Sequence, residues 1–124
     1  MSPRSKEFME QARDRLAVAE EILESGHAAA AASAAYYAML NAARAALSER
    51  DEYAKTHTGT WTVFSRAYVA TGEFDRELSA LARRAKDARE RGDYEAMSPT
   101  SQEAGEYVAG AADFIAAIEQ MLAT

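Results

Sequence analysis

Apolar positions recur at three- and four-residue steps from near the start of the chain. Phe8, Ala12, Leu16, Ala19 and Leu23 share one helical face, Glu20, Glu21 and Glu24 lie off it, and Gly26 follows where a left-handed C-terminal residue suits glycine. This pattern predicts a first helix over residues 5–25. Residues 28–50 are apolar over most of a helical circumference, as expected of a helix surrounded by neighbours, so a second helix is placed at the centre of the fold. Its alanines permit close approach, and Tyr36, Met39, Leu40 and Leu47 supply the larger volumes. Its polar groups are not scattered: Ser33, Tyr37, Asn41, Arg44 and Ser48 follow steps of four, four, three and four, forming one stripe.

A third helix is expected to begin between Thr56 and Thr58, to carry Trp61, Phe64 and Tyr68 inward, and to end at Gly72. A fourth, over residues 75–91, turns Leu78, Leu81, Ala82, Ala85 and Ala88 inward and Arg83, Arg84, Lys86, Arg89 and Arg91 elsewhere. Residues 92–99 then read as a loop, after which Thr100 or Ser101 caps a last helix with Glu103 and Glu106 near its positive end. Along that helix Ala104, Val108, Ala111, Ile115, Ile118 and Leu122 alternate steps of four and three, the mark of shallow-angle packing along a partner. The architecture that follows is all-α: an antiparallel four- to five-helix bundle, one domain over residues 1–124.

Composition narrows the chemistry. The 124 residues are 48% hydrophobic and 27% charged, enough apolar surface for an ordered core. There is no cysteine, which removes disulfides, thiol nucleophiles and thiolate metal sites and points to a reducing, cytoplasmic setting. No signal-like apolar core follows the N-terminus, and the apolar stretch 28–47 is mostly alanine broken by Ser33, Asn41 and Arg44, so no membrane span is expected. The net charge of −6 means that RNA would need a local basic groove. His27 and His57 are the only histidines and neither has a second ligand at metal-binding spacing, so no metal or cofactor is expected. Phosphate loops and nucleophile elbows are lacking as well.

Three fragments in order carry a family resemblance. Ser33-Ala34-Ala35-Tyr36-Tyr37-Ala38-Met39 runs into Ala42-Ala43-Arg44-Ala45, then come Lys55-Thr56-His57-Thr58-Gly59 and Arg89-Glu90-Arg91-Gly92-Asp93-Tyr94. The chain resembles the HEPN family, small helical domains often found beside a minimal nucleotidyltransferase. Many members are metal-independent ribonucleases of toxin–antitoxin type, with an arginine followed after four to six positions by a histidine. Arg50 and His57 meet that spacing, so the resemblance implies His57 as general base and Arg50 as a phosphate-stabilising cation, in a site shared across a homodimer. Here the pair spans the end of the second helix and the start of the third, instead of a late helix, and Gly59 stands where some members carry a modifiable tyrosine.

The residues themselves leave alternatives open. His57 can also tie down the loop before its helix, and Arg50 can serve its helix dipole as a terminal cation. Ser33, Tyr37, Asn41 and Arg44 either line a nucleotide or RNA cleft or pair with carboxylates such as Asp93, while Arg89, Asp93 and Tyr94 are expected to lock the fourth helix to its following loop. The rival to an RNA-acting protein is a catalytically inactive helical module that docks a nucleotidyltransferase or another partner through one face.

Overall fold

The computed structural model describes residues 1–95 and 97–123, the side chains of 93–95 excepted. Within them the chain forms α1 (Pro3–Glu24), α2 (Ala28–Ser48), α3 (His57–Phe64), which continues into a π-helical turn (Ser65–Val69), α4 (Arg76–Glu95) and α5 (Ser101–Ala123). Among the described residues there is no strand, as the all-α reading requires.

Local chemistry sets most of the boundaries. Ser2 Oγ accepts the Ser5 N–H at 3.1 Å and Pro3 fills the first turn, so α1 starts two residues earlier than the apolar stripe suggests. At its end Gly26, at φ 84°, allows His27 N–H to bond Ile22 C=O and its own N–H to bond Leu23 C=O, a Schellman closure. The same closure ends α2 with Asp51 in the left-handed position at φ 53°, its N–H on Ser48 C=O and the Glu52 N–H on Leu47 C=O. Thr100 and Glu103 form a reciprocal capping box at 3.1 and 3.0 Å, which opens α5.

Two boundaries depart from expectation. α4 passes through Gly92 and continues to Glu95, because a glycine inside a helix costs only about 1 kcal/mol and the chain must leave the helical region only as Pro99 approaches. The run from His57 to Gly72 is not one regular helix either: after Phe64 it widens into the π turn, where the Ala70 N–H bonds Ser65 C=O at 2.8 Å. The expected lock of Arg89 with Asp93 and Tyr94 lies outside the described residues.

α2 is the axis of the bundle: α1, α3, α4 and α5 all pack on it. Ser5 of α1 donates to Ala45 C=O at 3.1 Å and the Ser2 N–H reaches Glu49, so the start of α1 lies beside the end of α2 and the pair is antiparallel. Tyr36, Met39 and Leu40 are wholly buried and Leu47 nearly so. On the far side Trp61, Phe64, Phe74 and Phe114 make a chain of ring contacts with centroids 4.7 to 5.9 Å apart, joining α3 and the turn before α4 to α5. α4 meets α5 closely at Gly110, where a Cβ would fall 1.8 Å from a Leu81 methyl carbon.

Candidate functional site

The polar stripe of α2 marks where its burial gives way. Ser33, Tyr37, Arg44 and Ser48 are each half-buried, while the alanines beside them are closed off, so the stripe forms the floor of a shallow groove. Its members differ in what they can offer. Asn41 is 7% exposed and donates through Nδ2 to the Tyr37 carbonyl at 2.9 Å, a bond within its own helix that leaves this donor spent. Ser33 lines a small cavity of about 140 Å³ with Arg89 and Pro99. Arg44 and Ser48 line a much larger one.

His57 meets the stripe at its middle. Thr56 caps α3 by accepting the Gly59 N–H at 2.9 Å, and this fixes the first helical residue so that its imidazole turns back on α2. The ring lies 5.7 Å from the centroids of both Tyr36 and Tyr37, almost perpendicular to Tyr37. The described residues give the imidazole no hydrogen bond, and no buried polar side-chain atom is left unsatisfied, so its nitrogens open to solvent. Burial lowers the His57 pKa below its ordinary value, and the charges of Arg44, Arg89 and Lys86 lower it further, with Glu90 alone opposing. The imidazole is therefore neutral at pH 7.

The cations gather from three helices. The Arg89 guanidinium of α4 stands 5.1 Å from the Tyr37 centroid and 6.0 Å from that of Tyr36, and Arg15 of α1 stands 5.9 Å from Tyr37 on its own side. Lys86 holds Glu90 at 2.7 Å, one turn along α4. A protein of net charge −6 thus presents Arg44, Lys86 and Arg89 around one neutral histidine, with Arg15 on the Tyr37 beside it.

Arg50 is elsewhere. It donates to the Ala67 carbonyl and to Glu73 at 2.5 Å each, with its guanidinium carbon 4.0 Å from the Tyr68 centroid. Ala67 is ten residues beyond His57 along the α3 run, about 15 Å by helical rise. Within one chain the spacing of Arg50 and His57 in sequence does not become a pair in space. Among the described residues, no three His, Cys, Asp or Glu side chains gather as metal ligands, and no helix is long and apolar enough to cross a membrane.

The three fragments that carry the resemblance converge on this groove, Tyr36, Tyr37 and Arg44 from α2, His57 from α3 and Arg89 from α4. A family model for the HEPN domain matches residues 5–121. The chain belongs to the HEPN family. It is 28% identical over 103 residues to a Methanocaldococcus jannaschii protein named as a putative toxin, covering 83% of this chain and 70% of that one. A UPF0332 protein of Gloeobacter violaceus is 28% identical across 99% of both chains, and one of Thermotoga maritima is 27% identical over 90% of this chain and 86% of its own.

In this HEPN domain the residues that sequence reasoning did not assign to the site are Arg15, Lys86 and Arg89. The signal for Arg89 was present, since it opens the third fragment of the resemblance, but a lock on the following loop was the expectation for it. Arg15 and Lys86 carry no local signal. Each is one charge on an ordinary amphipathic helix, and only the packing of α1 and α4 on α2 brings them to Tyr37 and His57.

Proposed function

We propose that this HEPN protein acts on RNA in a toxin-like role, by metal-independent cleavage at the groove where His57 meets the α2 stripe. The observation that carries the reading is the half-buried imidazole, held neutral by burial and by Arg44, Arg89 and Lys86, with no hydrogen-bond partner of its own among the described residues. A general base must be unprotonated and open to its substrate, and these features support both conditions. In the cleavage, His57 takes the proton of a ribose 2′-hydroxyl and the 2′-oxygen forms a bond to the adjacent phosphorus. The bond from phosphorus to the 5′-oxygen breaks, that oxygen takes a proton from water, and the hydroxide left behind recovers the proton held by His57. The products are a 2′,3′-cyclic phosphate and a 5′-hydroxyl end. Arg44 and Arg89 would offset the charge that builds on the non-bridging oxygens.

In this reading Arg50 braces the π turn, and the phosphate-stabilising role falls to Arg44 and Arg89. Ser33 and Tyr37 flank the path of the strand. The homodimer and the nucleotidyltransferase partner that the resemblance implies belong to the same proposal, with the groove as the surface a partner would have to cover to silence the protein.

The test is single-stranded RNA incubated with purified protein in chelator, comparing wild type with His57→Ala, Arg44→Ala and Arg89→Ala after each variant's melting curve has shown that it folds. General-base removal should reduce the rate by about 100-fold or more. Cleavage that persists in His57→Ala at the wild-type rate ends the assignment.

A further inference from the structure

A cavity of about 640 Å³ opens between the start of α1, the end of α2 and the segment that leads to α3. That volume falls in the range of small-molecule sites, about 300–1,000 Å³. Three features give it a chemical character. Arg44 forms one wall, half-buried, and its guanidinium makes no hydrogen bond or ion pair with the described residues. A cation withdrawn from water without a partner is unfavourable, so an anion supplied from outside would complete it. Tyr53 lines the same cavity and is 66% exposed, although Arg4 holds a position 5.8 Å from its centroid, and a large aromatic ring left this open is a ready stacking platform. Asp51 also lines it, exposed, with a carboxylate that none of the described residues engages, while the neighbouring Glu52 is drawn to Arg66 at 3.6 Å.

An anion anchor, an open ring and an unengaged acceptor match the parts of one nucleotide. We infer that this cavity is a nucleotide subsite in which Arg44 takes the phosphate, Tyr53 stacks the base, and Asp51 accepts from an exocyclic amine, so that adenine, cytosine and guanine are preferred over uracil. Uracil has only N3–H to offer, and the two carbonyl oxygens that flank it face the carboxylate charge unfavourably. Arg44 also acts on His57, so the subsite adjoins the groove, and the phosphate that Arg44 takes is the one whose charge it would offset during cleavage. The inference rests on the RNA reading above and deepens it by naming an unpaired base as part of what is recognised, since a base whose amine edge is held by Asp51 has no free edge for a paired partner.

The test is isothermal titration of the purified full chain, in chelator, with AMP, CMP, GMP and UMP, none of which can be cleaved. The three amine-bearing nucleotides should bind more tightly than UMP. Tyr53→Ala should weaken their binding by about fivefold or more, and Tyr53→Trp should keep it. Asp51→Asn, which tolerates the left-handed backbone at that position, should narrow the preference over UMP by tightening UMP binding, because the charge that opposes the uracil carbonyls is gone and the amide NH2 can donate to them. Equal affinity of Tyr53→Ala and wild type, or equal affinity for all four nucleotides, overturns the inference. The two proposals fail separately. Nucleotide binding that depends on Tyr53 in a protein that never cleaves RNA removes His57 catalysis and keeps the subsite, whereas His57-dependent cleavage with no mononucleotide binding does the reverse.

Discussion

The Arg50 guanidinium stacks on the Tyr68 ring at 4.0 Å, and the Tyr68 hydroxyl in turn donates to the Ala46 carbonyl of α2. The arginine therefore closes a bracket around the π turn, with Ala67 C=O and Glu73 as its other two holds. Its hydrogen bond lowers the Glu73 pKa first, with Thr71 adding to the effect. Arg50→Ala should lower the melting temperature and leave the His57-dependent rate at wild-type level. The converse, a stable variant with lost activity, would move Arg50 into the reacting site, by way of a second subunit.

His57 makes stability and activity depend on pH in a defined direction. Its folded pKa lies below the unfolded value of 6.5, so the unfolded chain binds the extra proton first as the medium is acidified. Above pH 6.5 the group costs nothing; as pH falls through 6.5 toward the lowered folded value, stability declines, and below that value the loss is complete. His57→Gln should flatten the urea midpoint across this window, measured from pH 7.5 to 5. Cleavage should fall with acidity at the lower end of that interval, as pH passes the lowered folded value, since only the neutral ring accepts a proton. An identical pH dependence in wild type and His57→Gln would remove the linkage.

The bundle was legible in the chain because its determinants are local. The stripes of α1 and α5 recur at helical spacing, and the alanine-rich segment declares a helix with neighbours on nearly every side. Trp61, Phe64 and Tyr68 are buried as their spacing implies. Phe114 and Phe74 were not singled out, although both belong to the aromatic chain, because a ring in a helix already rich in apolar positions, or in a short turn, has no period of its own. The site was half legible. The stripe from Ser33 to Ser48 could be read as a line of polar residues on a buried helix, but the partners of His57 come from α2 and α4, and a sequence motif reports spacing along the chain, not proximity across it.

Tyr36 is the point where core and groove share a residue. Its hydroxyl accepts from Trp61 Nε1 at 3.1 Å while its ring edge supports His57, and burial raises its pKa, so it stays neutral at all working pH values. Tyr36→Phe keeps the ring and deletes the acceptor, which strands a buried indole N–H at a cost of about 1–3 kcal/mol. Denaturation should show that loss with the RNA-cleavage rate retained in the folded fraction, because the aromatic support of the imidazole survives.

Gly110 tests how closely α4 and α5 are packed. A methyl group there would overlap the Leu81 side chain, which can yield only by leaving its rotamer. Helix propensity favours alanine by about 1 kcal/mol, yet overpacking costs about 1–3 kcal/mol, so Gly110→Ala should be neutral to destabilising. A clear gain in the urea midpoint would mean that the two helices can part there without penalty.

Gly59 separates fold stability from catalysis most sharply. A Cβ at this position would approach Thr56 Oγ1 to 2.8 Å and Ala54 Cβ to 3.3 Å, so any side chain displaces the hydroxyl that caps α3. Losing a threonine cap costs about 1 kcal/mol, and replacing glycine by alanine within a helix returns about the same, so the stability of Gly59→Ala should stay close to wild type. Activity should not, because the cap sets the start of α3 and with it the direction of His57 toward Tyr36 and Tyr37. Thr56→Ala removes the same cap without the compensating alanine, and should lose both stability and rate. Wild-type turnover in the two variants would show that the imidazole is held by its tyrosine contacts alone, and that the small residue two positions after the histidine serves only the turn.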